Sequence, residues 1–216
     1  MYNRCVGLMT ILFSLFFFSQ SSFAQIRLGI KGGGNLYDNY QPGTKYFVSE
    51  PGLGFHAGAY GDYVITGTLY ARVEALFSTR GLNLTEPSFG ERIRYERESS
   101  YLDLPVTANY YIFNKFYVHA GIMPSMFIQE YRSITRDSEG FKVEGNDQFR
   151  NYERWQFAGV AGASYNFTLF GQELEAGARY SMAFTRTNER IRDVRASRDP
   201  KYMMLQAYIA YKIFEF

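Results

Sequence analysis

The sequence alternates apolar and polar residues with a period of two, and does so in eight separate stretches. Ile26, Leu28 and Ile30 interleave with Arg27, Gly29 and Lys31. Leu53, Phe55, Ala57 and Ala59 interleave with Gly54, His56, Gly58 and Tyr60, and Tyr63 and Ile65 prolong the apolar row. Leu69, Ala71, Val73, Ala75 and Phe77 alternate with Tyr70, Arg72, Glu74 and Ser78, and Leu102, Leu104, Val106, Ala108, Tyr110 and Ile112 with Asp103, Thr107 and Asn109. The pattern returns in 116–122, 155–167, 174–184 and 203–213. Successive side chains of a strand point to opposite faces, so each stretch reads as a β-strand with one apolar and one polar face. No apolar run beyond residue 24 is long enough to cross a bilayer as a helix. A barrel strand needs only roughly 9–11 alternating residues.

The connections alternate too. Segments 66–68, 113–115 and 168–172 are tight, whereas 35–52, 81–99, 129–153 and 185–201 are long and polar. Short turns at one end and long loops at the other are the arrangement of an outer-membrane barrel, with the turns in the periplasm. An even strand number then places both termini on the turn side. Opposed residues of a hairpin share a face, which fixes register. Closing the first turn with Ile65 opposite Leu69 sets Asp62 against Arg72. Closing the second with Ile112 opposite Phe116 sets Asn109 against His119 and Asp103 against Ser125.

The first residues read as an export signal. Arg4 precedes an apolar run from Val6 to Phe18, and Ser22-Phe23-Ala24 supplies small residues at the positions a signal peptidase reads, so cleavage is expected after Ala24. The expected organisation is a signal peptide, 1–24, followed by one barrel domain, 25–216. Cys5 is the single cysteine and would leave with the signal, which excludes disulfide and thiol chemistry from the mature chain. A formal charge of +2 gives no bias toward nucleic acid.

Period two does not say which face is inside. A soluble sandwich or lipocalin-like barrel would turn the apolar rows inward. Here the polar rows mix charges with many Gly, Ser and Tyr, like a packed lumen. The apolar rows carry aromatics at both ends: Tyr63, Tyr110, Phe116, Phe167 and Tyr211 by the turns, Phe55, Phe77, Trp155 and Phe184 by the loops. Paired aromatic girdles mark the two membrane interfaces of a barrel. The fold read from the sequence is therefore all-β: an eight-stranded antiparallel up-and-down transmembrane barrel. Near the C-terminus Lys212, Phe214 and Phe216 fall on the polar face, and the alternation slips around Ile213.

Particular residues carry a family resemblance. The stretches 28–36 (LGIKGGGNL), 73–81 (VEALFSTRG) and 101–106 (YLDLPV), His119-Ala120-Gly121 ahead of Pro124, and 159–165 resemble the PorT-type outer-membrane barrel domain of Bacteroidota over the whole mature chain. The resemblance implies an integral outer-membrane barrel. It leaves the activity open, since the family's namesake serves type IX secretion and no residue here separates it from the other members.

With the apolar rows facing lipid, the lumen would receive Arg27, Lys31, Arg72, Arg80, Arg179 and Lys212 against Asp62, Glu74, Asp103, Glu173 and Glu175, with Asn109 and His119 beside them. An eight-strand barrel is just wide enough for side chains to fill. The lumen is thus expected to be an ion-paired plug, with a narrow ion path as the alternative. No catalytic, metal or cofactor set is expected. His119 and Asp103 fall six residues apart along the hairpin, too far for a catalytic pair, and no Cys/His/Asp cluster has metal-ligand spacing. Gly32-Gly33-Gly34 is not followed by a helix, so it is no phosphate cradle. In the fourth loop Arg186, Arg190, Arg192, Arg195 and Arg198 form a candidate basic rim for lipopolysaccharide phosphates, with Glu189, Asp193 and Asp199 among them and a plain solvated surface loop as the favoured alternative. The expected partners are outer-membrane lipid, lipopolysaccharide and an unidentified protein, around a monomeric barrel.

Overall fold

A computed structural model of the chain describes residues 25–40, 48–88, 91–113, 115–136, 141–146, 154–184 and 201–216. The expected signal peptide lies outside them, as do the basic-rim residues Arg186, Arg190, Arg192, Arg195 and Arg198. The strands are β1 (Ile26–Tyr40), β2 (Val48–Val64), β3 (Leu69–Ser88), β4 (Glu91–Asp103), β5 (Val106–Phe113), β6 (Phe116–Arg136), β7 (Phe141–Asn146), β8 (Trp155–Leu169), β9 (Gln172–Ala183) and β10 (Lys201–Glu215). All pairings are antiparallel, and β1 pairs with both β2 and β10, so the sheet closes on itself.

The ten segments make eight staves. β4 and β5 lie end to end between β3 and β6, and β7 and β8 both lie along β6. The break between β4 and β5 falls at Pro105, which has no N–H for a ladder bond. The ladder carries on around it, because Leu104 N–H donates to Pro124 O (2.8 Å) and Glu74 N–H donates to Pro105 O (2.9 Å).

Burial settles which face is which. Leu53, Phe55, Val73, Val106, Ile122, Phe157, Tyr180, Leu205 and Ile209 are exposed, while Lys31, Asp62, Arg72, Glu74, Asp103, Asn109, Glu175 and Arg179 are buried. A chain with its charges inside and its aliphatics outside is built for a solvent less polar than its own interior. The soluble-barrel alternative requires the opposite.

Two details differ from the sequence reading, the first and third below, and the second gives the expected slip at Ile213 its structural form. First, Phe113, not Ile112, pairs with Phe116, and the register shifts between Tyr111 and Phe113. Lys115 takes a positive φ of 70° in the shortened turn. The pairs Asn109–His119 and Asp103–Ser125 are as read, and so is Asp62–Arg72 across the first turn. Second, the C-terminal slip is a β-bulge at Ile213: Leu28 opposes Phe214 while Gly29 opposes Lys212. The extra residue moves Phe214 (56% exposed) and Phe216 (74% exposed) to the lipid side. Third, 35–52, 81–99 and 129–153 are largely strand rather than loop, since β1 to β4, β6 and β7 run on past the aromatic belt. There the register sets Leu84, Tyr95, Ile134 and Val143 in one row and Asn83, Glu96, Ser133 and Glu144 in the next.

Glycine on the inward rows makes room for large lumen side chains. A Cβ on Gly29 would stand 2.5 Å from Tyr60 Cζ, and one on Gly177 2.5 Å from Tyr208 Cζ and 2.8 Å from Ser164 Cβ. Gly177→Val is therefore expected to overpack the lumen and cost about 1–3 kcal/mol. Denaturant unfolding in detergent would measure it, and parental stability would show that the Tyr208 ring is free to move aside.

Candidate functional site

The polar rows meet inside the barrel as a layered network. Nearest the turns, Arg27 Nε donates to Glu215 (2.9 Å), and Lys212 Nζ reaches both Glu173 (2.8 Å) and Glu215 (2.6 Å). Glu215 escapes a reading by parity: counted from Tyr211 it belongs to the lipid row, and only the bulge at Ile213 turns it inward. With it, both Arg27 and Lys212 have a carboxylate partner.

One layer deeper, Arg72 holds two carboxylates in fork geometry. Its Nε and Nη2 donate to Asp62 (2.7 and 3.0 Å), and its Nη1 and Nη2 donate to Glu175 (2.9 and 2.8 Å). Paired parallel bonds of this kind are among the stronger charge-assisted contacts. The Tyr208 hydroxyl donates to Glu175 (3.0 Å), and the Arg72 guanidinium lies 4.2 Å from the Tyr60 ring centre.

In the next layer Glu74 accepts from Lys31 (2.9 Å) and Arg179 (2.8 Å). The Lys31 ammonium sits 3.4 Å from the Tyr208 ring centre. Arg179 also donates to Gln206, Gln206 Nε2 donates to Asn35 Oδ1 (2.8 Å), and Asn35 Oδ1 meets His56 Nδ1 at 2.7 Å. Toward the loops, Arg80 Nη2 donates to Asp103 (2.6 Å) and Ser125 Oγ (3.0 Å), and Arg80 stacks 3.9 Å from the Tyr101 ring centre. The wall at that level is apolar, with Met123, Ala158, Val160, Ala183 and Met204 all buried. Tyr37 stacks on Tyr202 with ring centres 5.8 Å apart, and Tyr101 meets Phe127 edge-on at 5.6 Å.

Of the sequence candidates, Lys31, Asp62, Arg72, Glu74, Glu175 and Arg179 thus join in two adjoining layers. Asp103 sits in a separate cluster around Arg80, and Arg27 lies at the mouth, part exposed. Asn109 bonds only locally to Thr107, and neither ring nitrogen of the buried His119 has a hydrogen-bond partner among the described residues. Asp103 pairs with Ser125 and Asn109 with His119, so the register keeps Asp103 and His119 apart. The sequence reading missed the tyrosines that flank the cations, together with Asn35 and Gln206. Their signal was there: Tyr60, Tyr70 and Tyr208 share polar rows with the charges.

Below the Arg72 layer the lumen widens into an open vestibule of about 360 Å³ at the turn end. Its walls include Arg27, Lys212, Glu173 and Glu215 on one side and Tyr70, Tyr111 and Tyr117 on the other.

Comparison with known proteins agrees with this architecture. The profile of the outer membrane protein beta-barrel domain matches residues 18–189. The fold resembles the attachment invasion locus protein Ail of Yersinia pestis, solved in complex with the heparin analogue sucrose octasulfate. The identity is 13%, the TM-score 0.50, and the match covers 87% of this chain and 99% of Ail. Outer membrane protein OprG of Pseudomonas aeruginosa matches at 13% identity and TM-score 0.36, over 88% of this chain and 94% of OprG. Neisserial surface protein A matches at 12% identity and TM-score 0.39, over 86% and 97%. No curated protein sequence matches. With most of its length matched by that profile and a closed antiparallel sheet whose charges face inward, the chain belongs to the family of outer-membrane β-barrel domain proteins.

Proposed function

We propose that the protein works as a closed outer-membrane barrel whose loop end binds partners, with the turns and both termini in the periplasm. The observation that carries this reading is the filled lumen. Arg72 and Arg179 each reach across to carboxylates of distant strands, and the aromatic rings of Tyr37, Tyr202, Tyr101 and Phe127 occupy the loop-side end. Water that would carry ions has no open column through packing of this kind. What remains for function is the surface beyond the lipid belt, where strands β3, β4, β6 and β7 extend.

The ligand proposed for that end is an anionic saccharide surface such as lipopolysaccharide, held by the arginines of 186–198. Arginine binds phosphate in bidentate fashion, and clustered cations strengthen one another's field. Membership of the PorT-type subgroup and a role in type IX secretion rest on the sequence resemblance.

Two readouts test the proposal. In planar bilayers the mature protein should show no stable conductance, and a reproducible open state would overturn the closed-barrel reading in favour of a channel. Charge reversal of Arg190, Arg192 and Arg195 to Glu should weaken binding of lipopolysaccharide at least tenfold at low salt, with the effect shrinking as salt is added. Unchanged binding would remove the basic rim from the mechanism.

A further inference from the structure

The turn-side vestibule lies at the other end of the barrel from the proposed loop surface, and its chemistry is of another kind. Its charges balance, Arg27, Arg72, Lys115 and Lys212 against Asp62, Glu173, Glu175 and Glu215, and all but Lys115 are ion-paired among the described residues. Arg27 pairs with Glu215, Lys212 pairs with Glu215 and Glu173, and Arg72 behind them holds Asp62 and Glu175. A ligand with strong net charge would have to break these pairs, so the cavity favours a neutral one.

The opposite wall supplies rings and hydroxyls. Tyr70, Tyr117 and Tyr111 run as one aromatic strip, with ring centres 5.7 Å and 5.1 Å apart in edge-on pairs. The hydroxyl oxygen of Tyr111 accepts from the Lys115 backbone N–H (3.0 Å), and that of Tyr117 accepts from Asn166 Nδ2 (3.3 Å). In both contacts the phenol oxygen is the acceptor, so each O–H proton is still available to donate. The hydroxyls of Tyr60 and Tyr70, residues of the same cavity wall, make no hydrogen bond among the described residues. The result is an aromatic strip with phenol donors, facing a wall of ion pairs whose carboxylates have lone pairs to accept. A tyrosine ring offers an apolar face with a polar tip.

We infer that this vestibule is a binding site for a neutral saccharide of about disaccharide size. A sugar ring has an apolar C–H face to lie on tyrosine and hydroxyls at its rim that both donate and accept. The volume, about 360 Å³, falls within the range of small-molecule sites. The inference does not depend on which way up the barrel sits, nor on the loop-side reading. If the turns are periplasmic, the source of such a ligand is the cell-wall glycan.

The test uses the full mature chain in lipid nanodiscs, with ring-labelled tyrosine, titrated with N,N′-diacetylchitobiose and followed by NMR. The expected result is a saturable shift confined to a few tyrosine signals. Those signals are assigned by their loss in Tyr111→Phe and Tyr117→Phe. Tyr111→Phe keeps the ring and removes one donor, so it should weaken binding roughly 3- to 10-fold, the worth of one neutral hydrogen bond. Tyr117→Ala, which breaks the aromatic strip, should abolish the shift. Heat-modifiable migration on gels shows that each variant is folded. Absence of a saturable shift would overturn the inference. So would a shift that both substitutions leave unchanged, or an equal response to sucrose octasulfate, which would mean recognition of charge instead.

Discussion

Glu74→Ala should be among the most destabilising single changes in the lumen, and more damaging than Asp62→Ala. Glu74 is the only carboxylate in hydrogen-bond contact with Lys31 and Arg179 among the described residues, and both cations are almost wholly buried. Its removal leaves two charges without a counterion in a medium that solvates them poorly. Breaking a buried pair in this way costs about 3–5 kcal/mol. Among the described residues Asp62 has only Arg72 as its hydrogen-bond partner, and Arg72 keeps both bonds to Glu175 when Asp62 is gone. The loss there is expected to be about 1–3 kcal/mol, that of hydrogen bonds to a charged group. Equilibrium unfolding of the two variants in the same detergent gives the order directly. Asp62→Ala proving the more harmful would show that the Arg72 layer, not the Glu74 layer, ties the barrel together.

Ala120→Arg is expected to stop assembly. Ala120 lies on the lipid-facing row of β6, paired with Ala108 on one side and Ala161 on the other. A cation near the midplane of a barrel's outer surface costs about 2–4 kcal/mol. It comes before any lumen contact can compensate, because the side chain points away from the lumen. Ala120→Leu adds bulk without charge and should assemble normally. The heat-modifiable band would be absent for arginine and present for leucine. Normal assembly of the arginine variant would mean that this row does not face lipid, whereas failure of both would point to crowding instead of charge.

The faces of the strands were legible in the sequence because lipid and lumen impose opposite polarities on neighbouring residues. Registers near the tight turns could be read for the same reason: one slipped residue would have set Arg72 or His119 among aliphatics. Legibility failed where a residue is inserted without a change of composition. Ile112 is apolar like Tyr111 and Phe113, so nothing in its identity announces the shift there, and the slip at Ile213, though legible, did not by itself show that Glu215 turns inward. It also failed beyond the aromatic belt. The stretches 82–88 and 91–97 do alternate, as Leu82 and Leu84 or Ile93 and Tyr95 show, but Pro87 and Ser88 in the first and the many charges of the second resemble a loop. The partners within the lumen were not legible. Side chains that meet across it, such as Arg72 with Glu175, are brought together by the curvature of the closed sheet, which leaves no local mark on the chain.

The bonds that cross the lumen also bear on how the barrel is made. Arg72 and Glu175 are 103 residues apart in sequence, and Arg179 and Glu74 are 105 apart. The seam itself joins the first strand to the last. None of these contacts exists in a hairpin or in a half-built sheet, and loop-closure entropy opposes each of them until the far strands arrive. A partly inserted sheet would hold Arg72 against hydrocarbon with Asp62 as its one partner, and Glu74 without Arg179. The charges that hold the finished barrel together therefore forbid a strand-by-strand entry into the bilayer. Insertion and closure have to occur as one event, with the sheet already curled so that its ionised face meets itself before it meets lipid.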